Sequence, residues 1–173
     1  MRLGISLPGW RSPLERFCLL AVLILSTGCT PSGTVISMKT SEASVRVGDT
    51  VQTLLTVENI ADLTAFESHL SFDANALEVL EVSNGGFLNA DYVVQNTFDN
   101  ITGTIDYAVA QIGQPPANGS GTLLVITLRA KAPGDFPLRF RGTPAAPAGV
   151  LFSDSNGMAI QVSLFRGMVD IKK

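Results

Sequence analysis

Apolar and polar residues alternate in short runs from Thr34 onward, and glycine, asparagine, aspartate or proline separates one run from the next. The segment 65–72 is the clearest case, because its side chains divide into two alternating sets. One set is Phe66, Ser68, Leu70 and Phe72, and the other is Ala65, Glu67, His69 and Ser71. A period of two is typical of a strand that has one face on a core and one in solvent. No helical period extends beyond one turn, so the pattern predicts an all-β protein.

About nine strands follow from these runs and from the turn signals between them. The predicted strand segments are 35–38, 51–57, 65–72, 77–82, 92–98, 104–110, 123–128, 136–153 with a Pro/Ala loop at 142–149, and the closing pieces 160–165 and 168–171. Residues 99–103 form a predicted hairpin connection, and the nearly all-apolar 123–128 is a predicted central strand. Many short strands at this spacing favour a β-sandwich of two sheets.

The first part of the chain has a different pattern. Phe17–Leu25 is uninterruptedly apolar, Arg2, Arg11 and Arg16 precede it, and small residues follow it up to Cys29. A basic region, a short apolar region and a small-residue site are typical of a secretory signal peptide. Nine residues rise only about 14 Å as a helix, which is short of a hydrocarbon core of about 30 Å. The sequence therefore predicts a leader and export.

Cys29 follows the small-residue site directly, as in a bacterial lipobox, where the cysteine is lipidated and becomes the mature N-terminus. The alternative is ordinary cleavage before the same cysteine. The predicted organisation is a signal peptide at 1–28, a lipidated cysteine with a short linker at 29–33, and one β-sandwich domain at 34–173. We expect the protein in the cell envelope or at the cell surface, anchored by lipid.

Charge and composition exclude several functions. The chain has 12 Lys and Arg against 15 Asp and Glu, a net charge of −3, and loss of the predicted leader leaves 9 against 14, a net charge of −5. An acidic chain without a basic run is not expected to bind nucleic acid. One histidine and two cysteines cannot supply a tetrahedral Cys/His metal cage, so no metal or cofactor is predicted.

Three segments of the predicted sandwich resemble the cohesin domain family. They are VGDTVQTLLTVENIADLTAFESHLSFDANALEVLEV at 47–82, GTLLVITLRAKAPGDFPLRF at 121–140 and LFSDSNGMAIQVSLFRGMVDI at 151–171. The resemblance covers about 35–171 and implies a nine-stranded jelly roll. It also implies a non-catalytic receptor for dockerin modules, in which the dockerin supplies the calcium loops and the cohesin needs no metal. Polysaccharide would then be a partner only indirectly.

In the relatives that the resemblance points to, one sheet face binds the partner. That face corresponds here to 65–72, 92–99, 104–110 and 136–153. Glu67 occupies the place of an outward acidic residue that receives hydrogen bonds from the dockerin helix. Ala65 stands where one subclass has asparagine.

Alternation alone predicts the same face. Asp106 and Ala108 point outward if Ile105, Tyr107 and Val109 point inward. Gln95 and Thr97 point outward if Val94 and Phe98 are buried, and Leu151 flanks the sheet. Small residues with a few acids suit a helix that carries hydroxyl and basic groups. The predicted partner-binding residues are Ala65, Glu67, His69, Gln95, Thr97, Asp106, Ala108 and Leu151.

Other interpretations remain open at this point. The face could be solvated without a partner, or the domain could be a carbohydrate-binding module, or a structural or secretion-associated envelope protein with a cohesin-like fold. The predicted mature chain has no tryptophan for glycan stacking. Catalysis is not expected, because the single histidine, His69, has no G-x-S-x-G nucleophile motif to work with. Residues 154–157 resemble a calcium-loop fragment, but they lack the downstream bidentate glutamate of such a loop, and a hairpin turn is the favoured interpretation.

Overall fold

The computed structural model describes residues 33–165 and 167–172, and in this part the chain is built from strands and turns. Twelve strands follow one another in chain order. They are β1 (Thr34–Thr40), β2 (Val45–Arg46), β3 (Thr50–Leu63), β4 (Ala65–Ser71), β5 (Leu77–Asn84), β6 (Tyr92–Asp99), β7 (Thr104–Ala110), β8 (Ala117–Ala130), β9 (Gly134–Phe140), β10 (Val150–Ser153), β11 (Val162–Phe165) and β12 (Gly167–Lys172). The predicted signal peptide and Cys29 lie outside the described residues.

The strands form two sheets. The five-stranded sheet has the order β11-β1-β3-β8-β5, and the seven-stranded sheet has the order β2-β12-β9-β4-β7-β6, with β10 also paired to β4. The predicted all-β sandwich is therefore confirmed. The predicted interruption at 142–149 is also present, because β9 and β10 pair with different ends of β4. No helix in the described part is long and apolar enough to cross a membrane.

The core lies between the sheets and takes its side chains from the apolar set of each alternating strand. Phe66 of β4 contacts the rings of Tyr107 and Phe152, at centroid distances of 5.5 and 5.9 Å. Leu124 and Ile126 of β8 are fully buried on the opposite side. Apolar burial on this scale stabilises the sandwich without a disulfide.

The count of nine strands differs from the observed twelve for identifiable reasons. β2 has two residues, too few to show alternation. The closing segment divides because β11 pairs with β1 in one sheet while β12 pairs with β9 in the other. β3 and β8 each run for 14 residues, well beyond the predicted 51–57 and 123–128. Register shifts in β3, with left-handed backbone at Asn59 and Asp62, break the period of two there.

Two predicted turns are present. Gly103 N–H donates to Asp99 C=O and closes the hairpin between β6 and β7. In the segment 154–157 the Oδ1 atom of Asp154 accepts the backbone N–H groups of Asn156 and Met158, at 2.9 and 2.8 Å. The carboxylate that a calcium loop would need is thus used to form a turn.

Candidate docking face

The outward side chains of β10, β4, β7 and β6 form one continuous surface, which we call the four-strand face. Strand register arranges it in rows across the sheet. The rows are Ser153, Ala65, Ala110 and Tyr92; then Leu151, Glu67, Ala108 and Gln95; then His69, Asp106 and Thr97. All eight predicted partner-binding residues therefore lie on this face. Their role in binding remains a prediction.

Alternation places these side chains outward because the intervening ones are buried. Phe66 and Leu70 of β4 and Ile105 and Val109 of β7 are at most 2% exposed. A one-residue slip in either strand would move that apolar set into solvent, so the register is strongly determined. The same argument predicted the outward set from sequence.

One premise of the prediction was wrong. Gln95 and Thr97 point outward as predicted, but Val94 is 62% exposed and Phe98 is 41% exposed, so neither is buried. β6 is an edge strand, and a bulge between Val93 and Gln95 shifts its register against β7. A bulge adds one residue to the strand, so Val94 also reaches the four-strand face.

Four charged side chains meet in the middle of the face, and we call them the charge cluster: Glu67, His69, Asp106 and Arg141. His69 Nδ1 lies 2.5 Å from Asp106 Oδ1, and His69 Nε2 bonds Glu67 Oε1. Arg141 Nη2 donates to the same Asp106 Oδ1 at 2.5 Å. Sequence analysis did not include Arg141, because its place depends on the backbone bonds that join the start of the 142–149 loop to β4. Arg141 N–H donates to His69 C=O, and His69 N–H donates to Gly149 C=O.

The two ring bonds define the charge of His69. A neutral imidazole has one N–H donor, so a ring that donates to a carboxylate from each nitrogen is an imidazolium. Burial alone would lower the pKa of His69, but hydrogen bonds and charge attraction from Asp106 and Glu67 outweigh it and raise the pKa above 6.5. Two carboxylates therefore lie beside two cations at the centre of the face.

An apolar depression of about 150 Å³ lies next to the charge cluster, and we call it the alanine depression. Its outward lining consists of Ala65, Glu67, Val94, Ala108, Ala110, Leu151 and Ser153. Three alanines on adjacent strands leave room that larger side chains would fill. Val94, Ala110 and Ser153 are not among the predicted residues: the bulge hides Val94, Ala110 is the last residue of β7, and the short β10 shows little alternation.

This arrangement suits recognition better than chemistry. Asp106 bonds both His69 and Arg141, and Glu67 bonds His69, so the titratable groups bond one another. Among the described residues, no group of three or more His, Cys, Asp or Glu side chains is placed to hold a metal ion. A broad sheet face that combines an apolar depression with polar groups can bind a protein segment that lies across it.

Comparison with known proteins identifies the family of this module. Residues 35–157 match the model of the cohesin domain, and the chain belongs to the cohesin domain family. Cohesins are non-catalytic modules of protein–protein interaction, which confirms that the chain is not an enzyme. The resemblance inferred from the three sequence segments is likewise confirmed.

The chain is similar to one curated relative in sequence and to solved cohesins in fold. Over 135 residues the chain is 27% identical to cellulose-binding protein A of Clostridium cellulovorans, an alignment that spans 76% of this chain but only 7% of that relative. A type II cohesin domain from the cellulosome of Acetivibrio cellulolyticus superposes with a TM-score of 0.70 at 18% identity, over 79% of this chain and 95% of that one. The cohesin–dockerin complex of type I from Clostridium thermocellum gives a TM-score of 0.68 at 15% identity, over 81% and 99%.

Proposed function

We propose that this protein is an exported cohesin, anchored to a membrane through a lipid on Cys29, that binds a dockerin-bearing protein through the four-strand face. Membership of the cohesin family supports binding of a protein partner. A solved relative of the same fold is a cohesin–dockerin complex. The partner supplies the calcium in this proposal, and the cohesin itself needs no metal.

The alignment of residues across four strands is the observation that carries the choice of face. Leu151, Glu67, Ala108 and Gln95 lie in one row, although the chain runs from 67 to 95, from 95 to 108 and from 108 to 151 between them. The row runs across the strands and joins apolar, acidic and amide side chains. A helix laid over such a face can contact several strands at once.

Affinity capture tests the proposed partner. The purified protein is immobilised and exposed to calcium-loaded dockerins of type I and type II, and the capture is repeated after chelator treatment of each partner separately. We expect capture that is lost when the dockerin is stripped of calcium and kept when only the immobilised protein has been treated. Capture that never depends on calcium, or no capture by either type, would contradict dockerin binding.

A charge reversal tests the proposed face. Glu67→Arg is expected to weaken dockerin capture by roughly tenfold or more, since it places a cation beside His69 and Arg141. Glu58→Arg is the matched control, because it makes the same reversal on the other sheet, where Glu58 pairs with Lys39. If the two variants bind equally well, the choice of face is wrong, although dockerin binding stands.

The same immobilised protein can be tested against polysaccharide. Tyr92 is 57% exposed at one end of the four-strand face, and an exposed aromatic ring is the kind of side chain that stacks on sugars. Retention of glycan as strong as retention of dockerin would support the carbohydrate-binding alternative. Retention of neither would leave a structural envelope role as the better interpretation.

A further inference from the structure

The charges on and beside the four-strand face cancel one another. Within the charge cluster, His69 and Arg141 offset Glu67 and Asp106. In the next row, Arg139 of β9 lies beside Ser71, while Asp99 lies at the far end beyond Thr104. The face is thus neutral in a chain whose predicted mature form has a net charge of −5.

We propose that this face selects a dockerin helix with an uncharged contact surface and one aliphatic side chain for the alanine depression, and that His69 is the residue that determines this preference. The inference rests on the proposed function and concerns the same face. It differs from the expectation of a basic helix, which the carboxylates suggested when they were considered without their counter-ions.

The location of the His69 side chain explains why this residue determines the preference. Its side chain is 10% exposed and bonds one carboxylate from each ring nitrogen. Its charged or titratable neighbours are Glu67 on β4, Asp106 on β7 and Arg141 after β9. The nearest outward residues of β10 and β6 are uncharged: Leu151 lies in the adjacent row, and Thr97 lies beyond Asp106 in the row of His69. Without the imidazolium, Arg141 would be the single cation for two carboxylates.

The alanine depression accounts for the aliphatic part of the preference. Ala65, Ala108 and Ala110 form its floor across β4 and β7, and Leu151 and Val94 form its sides. Its volume of about 150 Å³ is suited to one side chain of about leucine size. Anchor residues of an interface bind preferentially in apolar depressions near the centre of the contact surface.

A basic partner gains little at such a face. Each carboxylate already has a cation within hydrogen-bond distance, so an incoming lysine meets no net negative charge. It must nevertheless give up its hydration as the surfaces close, and a desolvated charge without a free partner weakens binding. An uncharged helix surface avoids that cost.

The test uses the calcium-loaded dockerin recovered by capture, in two versions that carry either a leucine or a lysine at the residue over Glu67, where the alanine depression meets the charge cluster. We expect the purified protein to bind the leucine version about tenfold more tightly, with little change between about 0.05 and 0.5 M salt. His69→Gln should remove or reverse this preference and make binding of the lysine version depend on salt. Lys39→Gln is the matched control, since it removes one positive charge from the other sheet and should keep the wild-type preference.

A pH titration of the unmodified protein provides a second measurement that needs no substitution. Hydrogen bonds and charge attraction from Asp106 and Glu67 raise the pKa of His69 above 6.5, so the imidazolium should persist to higher pH than a free imidazole would. The preference for the leucine version should decline once the pH exceeds the pKa of the ring. A wild-type preference for the lysine version, or a preference unchanged by both His69→Gln and high pH, would overturn the inference while dockerin binding stands. Failure to recover any dockerin would overturn both.

Discussion

At the scale of single residues, three polar side chains of residues 33–172 are buried among those that the structure describes. His69 has both ring nitrogens bonded to carboxylates, and its burial is thereby compensated. Thr53 and Ser68 are fully buried, and their hydroxyl oxygens have no hydrogen-bond partner within the described part of the chain. A buried hydroxyl without a partner loses its bonds to water and gains none in return, which lowers stability.

Thr53→Val is therefore expected to stabilise the protein. Valine keeps the branched shape that β3 accommodates and removes the buried hydroxyl, so the free energy of unfolding should rise by about 1 kcal/mol. In a domain of this size the melting temperature should increase by about 2–4 °C. Thermal unfolding followed by circular dichroism gives the measurement, and Thr50→Val, at an exposed position of the same strand, is the comparison. A lower melting temperature for Thr53→Val would show that the hydroxyl does form a stabilising bond.

At the scale of elements, turns and bulges decide how the strands align. The turn between β6 and β7 is held by Asp99 Oδ1, which accepts the Ile101 N–H at 2.7 Å. Hydrogen bonds from Ile101 and then Thr102 also lower the pKa of Asp99. Gly103 ends this turn in the left-handed region, with a φ of 70°. Its carbonyl accepts the Phe72 N–H, so its backbone lies directly against the chain that leaves β4.

A comparison of Gly103→Ala with Gly113→Ala separates the cost of a left-handed alanine from the cost of a steric collision. Both glycines have a φ of 70°, so both substitutions impose the left-handed conformation on alanine, at about 1–2 kcal/mol. Only at Gly103 would the new Cβ collide, at 2.2 Å from Phe72 O, whereas nothing lies within 4 Å at Gly113. We expect Gly113→Ala to show the conformational cost alone and Gly103→Ala to lose at least about 2 kcal/mol more. Equal losses in chemical denaturation would mean that the turn can shift away from Phe72.

At the scale of the whole molecule, side chains of β6 and of the turn after it form hydrogen bonds with backbone groups at the edge of the other sheet. Asn100 donates to Val79 C=O and accepts the Val79 N–H, at 2.9 and 2.8 Å, and Asn96 donates to Val82 C=O. These amides cover the outer edge of β5, which has no strand beyond it in its sheet. The sandwich thereby protects an edge that could otherwise pair with another chain.

The proposed placement of the protein at a membrane rests on Cys29. Four residues separate it from β1 and reach at most about 14 Å, so a lipid there would hold the domain close to the bilayer. We expect Cys29→Ser to move the protein from the membrane fraction to the soluble fraction and to remove a lipid mass from its N-terminus. Cys18→Ser, within the predicted leader, should change neither. A wild-type N-terminus with an unmodified cysteine would instead support ordinary cleavage.

Much of the candidate site could be predicted because strand alternation is a local property. The outward sets of β4 and β7, including Glu67, His69, Asp106 and Ala108, follow from the burial of the residues between them. Val94 could not be found, because a bulge obeys no period. Arg141 could not be placed either, since the backbone bonds that join it to β4 connect residues far apart in sequence.

The sequence by itself determined most of the strands, the two-sheet sandwich, the family resemblance and the polar face, since each depends on residue types at short spacing. Only the tertiary structure decided which outward side chains meet. The bonds of His69 to Glu67 and Asp106, and of Asp106 to Arg141, join side chains up to 37 residues apart along the chain. Cross-strand register creates these contacts, and they convert a face that seemed acidic in sequence into a neutral one. The charge state of a titratable side chain depends on its neighbours in space, and the order of residues does not specify those neighbours.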